Sequence, residues 1–183
     1  SFSLGGFHFT TDGFRKNADQ RDNLANAFVQ LELSQQTSLQ AEYRYRETEW
    51  GDLPLRFFPD DFFPGQRNKV EKHTIRLGGR HALSPGSTLL GSFSYQDAET
   101  TLRDDEFPDP RFRFLDIKGP QKAFGAELQH LFRSRYFNLT SGAGYFHIDG
   151  DIQRLVGLLI PPRDVLSTVG QQIRHVNAYA LGA

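Results

Sequence analysis

The chain has 183 residues, enough for one domain with a substantial core, and its 21 basic and 22 acidic residues balance almost to neutrality. That balance excludes the basic footprint of a nucleic-acid binder. With 17 Phe, 17 Gly, 6 Tyr and no Cys or Met, the chain is rich in aromatics yet has negative mean hydropathy. No stretch reaches the roughly eighteen consecutive apolar residues of a membrane-spanning helix.

Residues 2–11 read as a strand whose faces are blurred by Gly5, Gly6 and the cluster Phe7, His8, Phe9. Residues 12–22 read as a charged loop. The segment 23–50 is a hairpin of two strands with period-two side chains. Ala25, Ala27, Val29, Leu31 and Leu33 oppose Asn26, Gln30 and Glu32 in the first strand, and only Phe28 breaks the polar side. Leu39, Ala41, Tyr43 and Tyr45 oppose Gln40, Glu42, Arg44 and Arg46 in the second. Across the turn 34–37, the pattern predicts Leu33 opposite Leu39, Glu32 opposite Gln40 and Gln30 opposite Glu42.

Prolines at 54, 59 and 64 make 50–69 a long irregular segment. Residues 70–83 alternate again, and Ser84-Pro85-Gly86-Ser87 turns the chain into a strand over 88–99. A second long loop is expected over 101–119, a strand over 121–132, a tight turn at 133–136 and a strand to about Ile148. A third long loop over 149–170, carrying the apolar run 155–160, precedes a last strand from about Gln172. The reading is all-β, an antiparallel up-and-down meander of about eight long strands treated as one segment, 1–183.

Strands of about ten residues, apolar on one side and charged on the other, suit a tilted crossing of a bilayer. Alternation of tight turns with long loops is the pattern of outer-membrane barrels, whose short turns face the periplasm. The two signals are independent and agree on part of a transmembrane β-barrel. The start at Ser-Phe-Ser without Met, and the end without a terminal aromatic, give the expectation of a fragment of a longer protein.

The stretches Arg76–Tyr95 and Glu127–Tyr145 resemble walls of large bacterial outer-membrane barrels. They are similar to those of TonB-dependent receptors and of barrels attached to periplasmic tetratricopeptide repeats. The resemblance implies a barrel of about sixteen or more strands, of which eight are seen. It also implies a location in the bacterial outer membrane. No plug, TonB box or repeat occurs in the chain, and no substrate residue carries over.

Several residue groups are candidates for function. Glu32, Glu42, Arg44, Arg46, Arg76, Arg80 and Glu127 fall on the expected lumen face. They form either a charged strip that attracts anionic solutes or a plug, or a ladder of salt bridges that only satisfies the wall. Tyr43, Tyr45, Trp50 and Tyr95 near the long-loop ends, and Phe132, Tyr136 and Phe137 at a tight turn, are expected in two interfacial belts. Phe57, Phe58, Phe62 and Phe63 around Asp60 and Asp61 either grip a ligand, with the aspartates holding Ca²⁺, or pack the loop onto the rim. The histidines at 8, 73, 81, 130, 147 and 175 lack close metal-ligand spacing. No residue is nominated as a nucleophile, cofactor ligand or metal ligand, so no enzyme is expected.

The expected function is solute passage or receptor-mediated uptake. Outer-membrane lipid and a small-molecule solute are the partners, together with a plug or periplasmic repeats elsewhere on a longer chain. The alternatives are a structural barrel anchoring periplasmic repeats and a soluble β-sandwich or lipocalin-like binding module.

Overall fold

The computed structural model describes residues 1–183 except 56, 57, 59–61, 107, 108, 160 and 183. Eight strands follow one another: β1 (Phe2–Thr11), β2 (Gln20–Glu32), β3 (Thr37–Trp50), β4 (Gln66–Ser84), β5 (Ser87–Asp104), β6 (Phe112–Arg133), β7 (Asn138–Leu159) and β8 (Pro162–Gly182). Each pairs antiparallel with the next in a single sheet of order β1 to β8. β1 and β8 do not pair, so the sheet is open.

The two predicted faces are present. Val29, Ala41 and Leu77 share one row, as do Tyr43, Ile75, Tyr95 and Phe124, all on the apolar face. One row away, Glu42, Arg76, Ser94 and Gly125 line the other face. Concavities of about 460, 430, 310 and 210 Å³ open along this face, the concave one, and one of about 540 Å³ opens on the other face beside the first two long loops.

The hairpin register differs from the sequence expectation by two residues. Leu31 pairs with Leu39, Gln30 with Gln40 and Phe28 with Glu42, whereas Glu32 meets Ser38. Ser34 Oγ accepts from the amides of Gln36 and Thr37 (3.2 and 3.1 Å), and the Leu33 amide donates to Thr37 O at 2.9 Å. This side-chain-closed turn starts one residue earlier than expected. A shift by two keeps every residue on its face, so alternation alone does not distinguish the two registers.

The loops are shorter than expected. The expected loop over 149–170 is strand, because β7 runs to Leu159 and β8 starts at Pro162. The expected loop over 101–119 shrinks to 105–111. Gly119 and Pro120 lie within β6 at a point where its ladder to β7 lapses, so the missing proline amide leaves no β7 partner unmet. The first loop ends at Asp19, which places Asp22 in β2.

The sheet has almost no core. Among the described residues the buried apolar side chains are Ala18, Ala98 and Ala123, while Leu4, Leu31, Leu77 and Leu128 are about half exposed or more. The accessible surface is 12673 Å² for 20.8 kDa, against about 9,000 Å² for a compact monomer of that mass. A single layer with its oily face uncovered accounts for the excess.

Candidate functional site: the charged concave face

The concave side of β3 and β4 is built by alternation. Arg44, Arg46 and Thr48 project from β3, and Lys72, Thr74 and Arg76 from the facing rows of β4. Arg46 grips Asp22 of β2 with both nitrogens of its fork (Nε to Oδ1 3.1 Å, Nη2 to Oδ2 2.7 Å), and Thr48 Oγ1 donates to the same carboxylate at 3.0 Å. Glu42 takes Arg44 Nη2 at 2.8 Å and Arg76 Nη1 at 3.4 Å. Lys72 has no ion pair among the described residues. Four cations thus meet two carboxylates, leaving a cationic surplus around the 430 Å³ concavity that also includes Trp50 and Gln96 in its wall.

The expected strip is therefore split. Glu42, Arg44, Arg46 and Arg76 come together. Glu127 lies on β6, where it accepts from Tyr179 Oη at 2.5 Å, while Gln129 Nε2 donates to that phenol at 2.9 Å. Arg80 and Glu127 line a second concavity toward the tight turns, and Glu32 sits at the turn end of β2. Sequence reading missed Lys72 and Asp22. Lys72 continues the alternation of Thr74 and Arg76 and was legible; Asp22 was hidden in a charged run read as loop.

Most of the expected aromatics lie on the convex face. Tyr43 Oη bonds His73 Nδ1 at 2.8 Å, and the Tyr45 ring lies 5.0 Å from the His73 ring. Tyr95 stands in the same row as Tyr43, and Phe124 packs against Tyr145 and His147 at 5.6 and 5.3 Å. At the tight-turn end Phe132 and Phe137 pack at 5.7 Å, beside a Tyr136 that is 85% exposed. Trp50 departs from its expected place. It lies five residues beyond Tyr45, an odd spacing that the pleat turns inward, and it lines the cationic concavity.

The long-loop ends are knitted together. Arg15 Nη2 donates to the carbonyls of Asp52 and Pro54 (2.8 and 3.0 Å), faces the Asp52 carboxylate at 3.4 Å and lies over the Phe62 ring at 4.8 Å. Asn17, at a φ of 59°, donates its amide to Phe63 O and Gln66 O (2.7 and 2.9 Å). Asp52, 2% exposed, accepts from the Phe63 amide at 2.9 Å. Phe62 and Phe63 thus hold the second loop to the first, and Phe58 is exposed. Phe57, Asp60 and Asp61 lie outside the described residues. No cluster of three or more His, Asp or Glu suited to a metal occurs among the described residues.

Two carboxylates at the loop 105–111 are shifted in opposite directions. Burial pushes Asp104 above its ordinary range, against a bond from the Glu106 amide and with Asp105, Glu106 and Asp52 adding repulsion. Asp109 is pulled down to about 2 by hydrogen bonds from the Arg111 side chain and amide.

No family model matches the chain, and no curated protein matches it. Among solved structures the chain is similar to the ferric yersiniabactin uptake receptor FyuA from Yersinia pestis, at 12% identity and a TM-score of 0.40. That match covers 98% of this chain and 39% of the receptor, so the chain spans well under half the length of the structure it matches.

Proposed function

We propose that the chain forms part of the wall of a bacterial outer-membrane β-barrel whose polar lumen passes, or takes up, anionic solutes. The observation that carries this reading is the height of the bare apolar band on the convex face. On β6 it runs from Phe124 through Ala126 and Leu128 to Phe132, nine residues interrupted only by His130, which bonds Ser87 at 2.7 Å, with aromatic rings at both ends. At about 3.4 Å per residue and a tilt of about 40° it rises roughly 23 Å, close to the apolar band of outer-membrane barrels. Lipid is the partner of that face. A soluble sandwich would need a second layer over it, which the described residues do not form, and a lipocalin-like barrel would carry its oily side chains inside, whereas at the height of this band they stand on the convex face.

The cationic surplus of β3 and β4 supports anions as the solute class, since charged rings in a pore set selectivity. The chemistry is confinement, with no bond made or broken. The test is conductance of the full-length protein in planar bilayers. Anion-selective current is expected, and Arg44→Glu with Arg76→Glu should shift the reversal potential toward cation selectivity. A conducting barrel whose selectivity ignores that double charge reversal would overturn the anionic reading.

A further inference from the structure

Above the aromatic row, the two faces exchange character. On the convex side, His147 is followed by Asp149, Asp151 and Gln153 on β7, with Arg174 and Gln172 in the facing rows of β8. Asp97 and Glu99 of β5 and Lys122 and Lys118 of β6 continue this charged zone. The outside therefore faces water at this height. The concave side at the same height is oily: Ile117, Ile148, Ile152 and Ile173 line a concavity of about 310 Å³. Ile152, Val169 and Ile173 are 53%, 62% and 42% exposed there. Lipid cannot account for apolar side chains that point inward.

This oily zone shares its pairing rows with the cationic one. The pairing register lines up Arg44, Thr74, Gln96, Ala123, Ile148 and Ile173 in one row from β3 to β8. The next concave row runs from Arg46 through Lys72 and Ala98 to Gln121 and Gly150. Between the two halves the concave side of β5 and β6 carries Ala98 and Ala123, buried beside Gln96 and Gln121, which share their rows and stand in the walls of the two concavities. β4 and β7 are three strand spacings apart, about 14 Å across the sheet.

We propose that this face binds an amphipathic organic anion, its carboxylate or sulfonate held at Lys72 beside Arg76 and its apolar body reaching across β5 and β6, past Gln96 and Gln121, onto Ile148 and Ile173. This deepens the anion-passage reading and rests on it. Complementarity selects the occupant. The surplus positive charge asks for an anion, the inward-facing isoleucines ask for an apolar body, and the two strands between them, β5 and β6, set the distance. A small inorganic anion would leave the oily half wet, and a neutral apolar molecule would leave the charge of Lys72 unmatched.

The test uses the full-length protein in lipid nanodiscs with pyrenebutanoate, which joins one carboxylate to a broad apolar body. Trp50, in the wall of the cationic concavity, reports occupancy by energy transfer to pyrene, with Trp50→Phe and empty nanodiscs as blanks. Saturable transfer is expected. Lys72→Gln with Arg76→Gln, and separately Ile148→Ser with Ile173→Ser, should each weaken it by about tenfold, as should replacing the probe with neutral pyrenebutanol. Acetate should not compete. Unchanged binding in the isoleucine variant, or equal binding of pyrenebutanol, would overturn the proposal. So would failure of Ile148→Cys and Ile173→Cys to react with a water-soluble maleimide in the unliganded protein, because another protein segment would then own the oily half. Conductance separates the two levels: a barrel that passes anions but ignores the pyrene body loses this inference alone, and one that binds the probe without anion current loses the passage reading.

Discussion

Tyr179 of β8 reaches over β7 to donate its hydroxyl to Glu127 of β6, two strands away, and it passes above Gly142 to do so. A Cβ built on Gly142 would lie 2.6 Å from the Tyr179 hydroxyl and 3.0 Å from Leu128 O. Gly144, one concave row further along β7, stands in the same relation to Asn177, whose Oδ1 would be 2.6 Å from its Cβ. Gly142 and Gly144 are thus places where side chains of β8 lie across the wall.

Gly142→Val should displace the Tyr179 ring and break its bond to Glu127. The expected cost is about 1–3 kcal/mol, the usual penalty for inserting a side chain into occupied space. The measurement is the urea midpoint of the protein in lipid vesicles. Gly91→Ala is the control, since nothing lies within 4 Å of a Cβ there, and its midpoint should stay put. Equal midpoints for Gly142→Val and wild type would remove the steric role given to that glycine.

The loops at the long end depend on Asn17. Its side-chain amide ties one carbonyl of the second loop, that of Phe63, and one at the start of β4, that of Gln66, and its φ of 59° is one that Asn tolerates better than most residues. Asn17→Ala loses the two bonds and is strained; Asn17→Gly loses the bonds but relieves the strain. Limited trypsinolysis after Arg15 and Lys16 reads the outcome. Both variants should be nicked faster than wild type, Ala more than Gly, while the strands remain intact. Equal resistance in all three would mean that the amide does not hold the loops together.

Much of this was legible, because one residue of offset decides which solvent a side chain meets. The faces of β2 to β7 and the three tight turns were readable from alternation and turn residues. The upper halves of β7 and β8 were not, because there the oily side chains Ile148 and Ile152 face inward and the charged ones face out, the reverse of the band below. A rule that equates apolar with lipid-facing reads such a reversal as the end of the strand. The run 155–160 added to this by being apolar on both faces. Trp50 was misplaced by naming its neighbourhood rather than counting from Tyr45.

Asp104 and Asp109 give the loop 105–111 opposite pH responses. The folded Asp104 carboxyl sits above the ordinary 3.8 through burial, so its contribution to holding the loop is full at low pH and is lost as pH rises through the raised value. Asp104→Asn keeps an oxygen for the Glu106 amide and should abolish that rise in opening. Asp109, lowered to about 2 by Arg111, contributes above 3.8 and loses its effect as pH falls toward 2. Hydrogen exchange of the 105–111 amides against pH should show both limbs, with Arg111→Ala erasing only the acid one. A pH-independent loop would contradict the burial of Asp104.

Trp50 offers a direct reading of which face is wet. It shares the concave side with Arg46 and Thr48, while Tyr43 and Tyr45 stand on the convex side. In lipid vesicles its emission, taken as the difference between wild type and Trp50→Phe, should therefore be quenched by aqueous acrylamide and spared by brominated lipid. A tryptophan placed at Tyr43 in the Trp50→Phe background should respond the other way, because its row carries the bare apolar band. If both positions were quenched by acrylamide alone, the convex face would be meeting water, and an oily surface of this extent would then need a protein partner rather than a membrane.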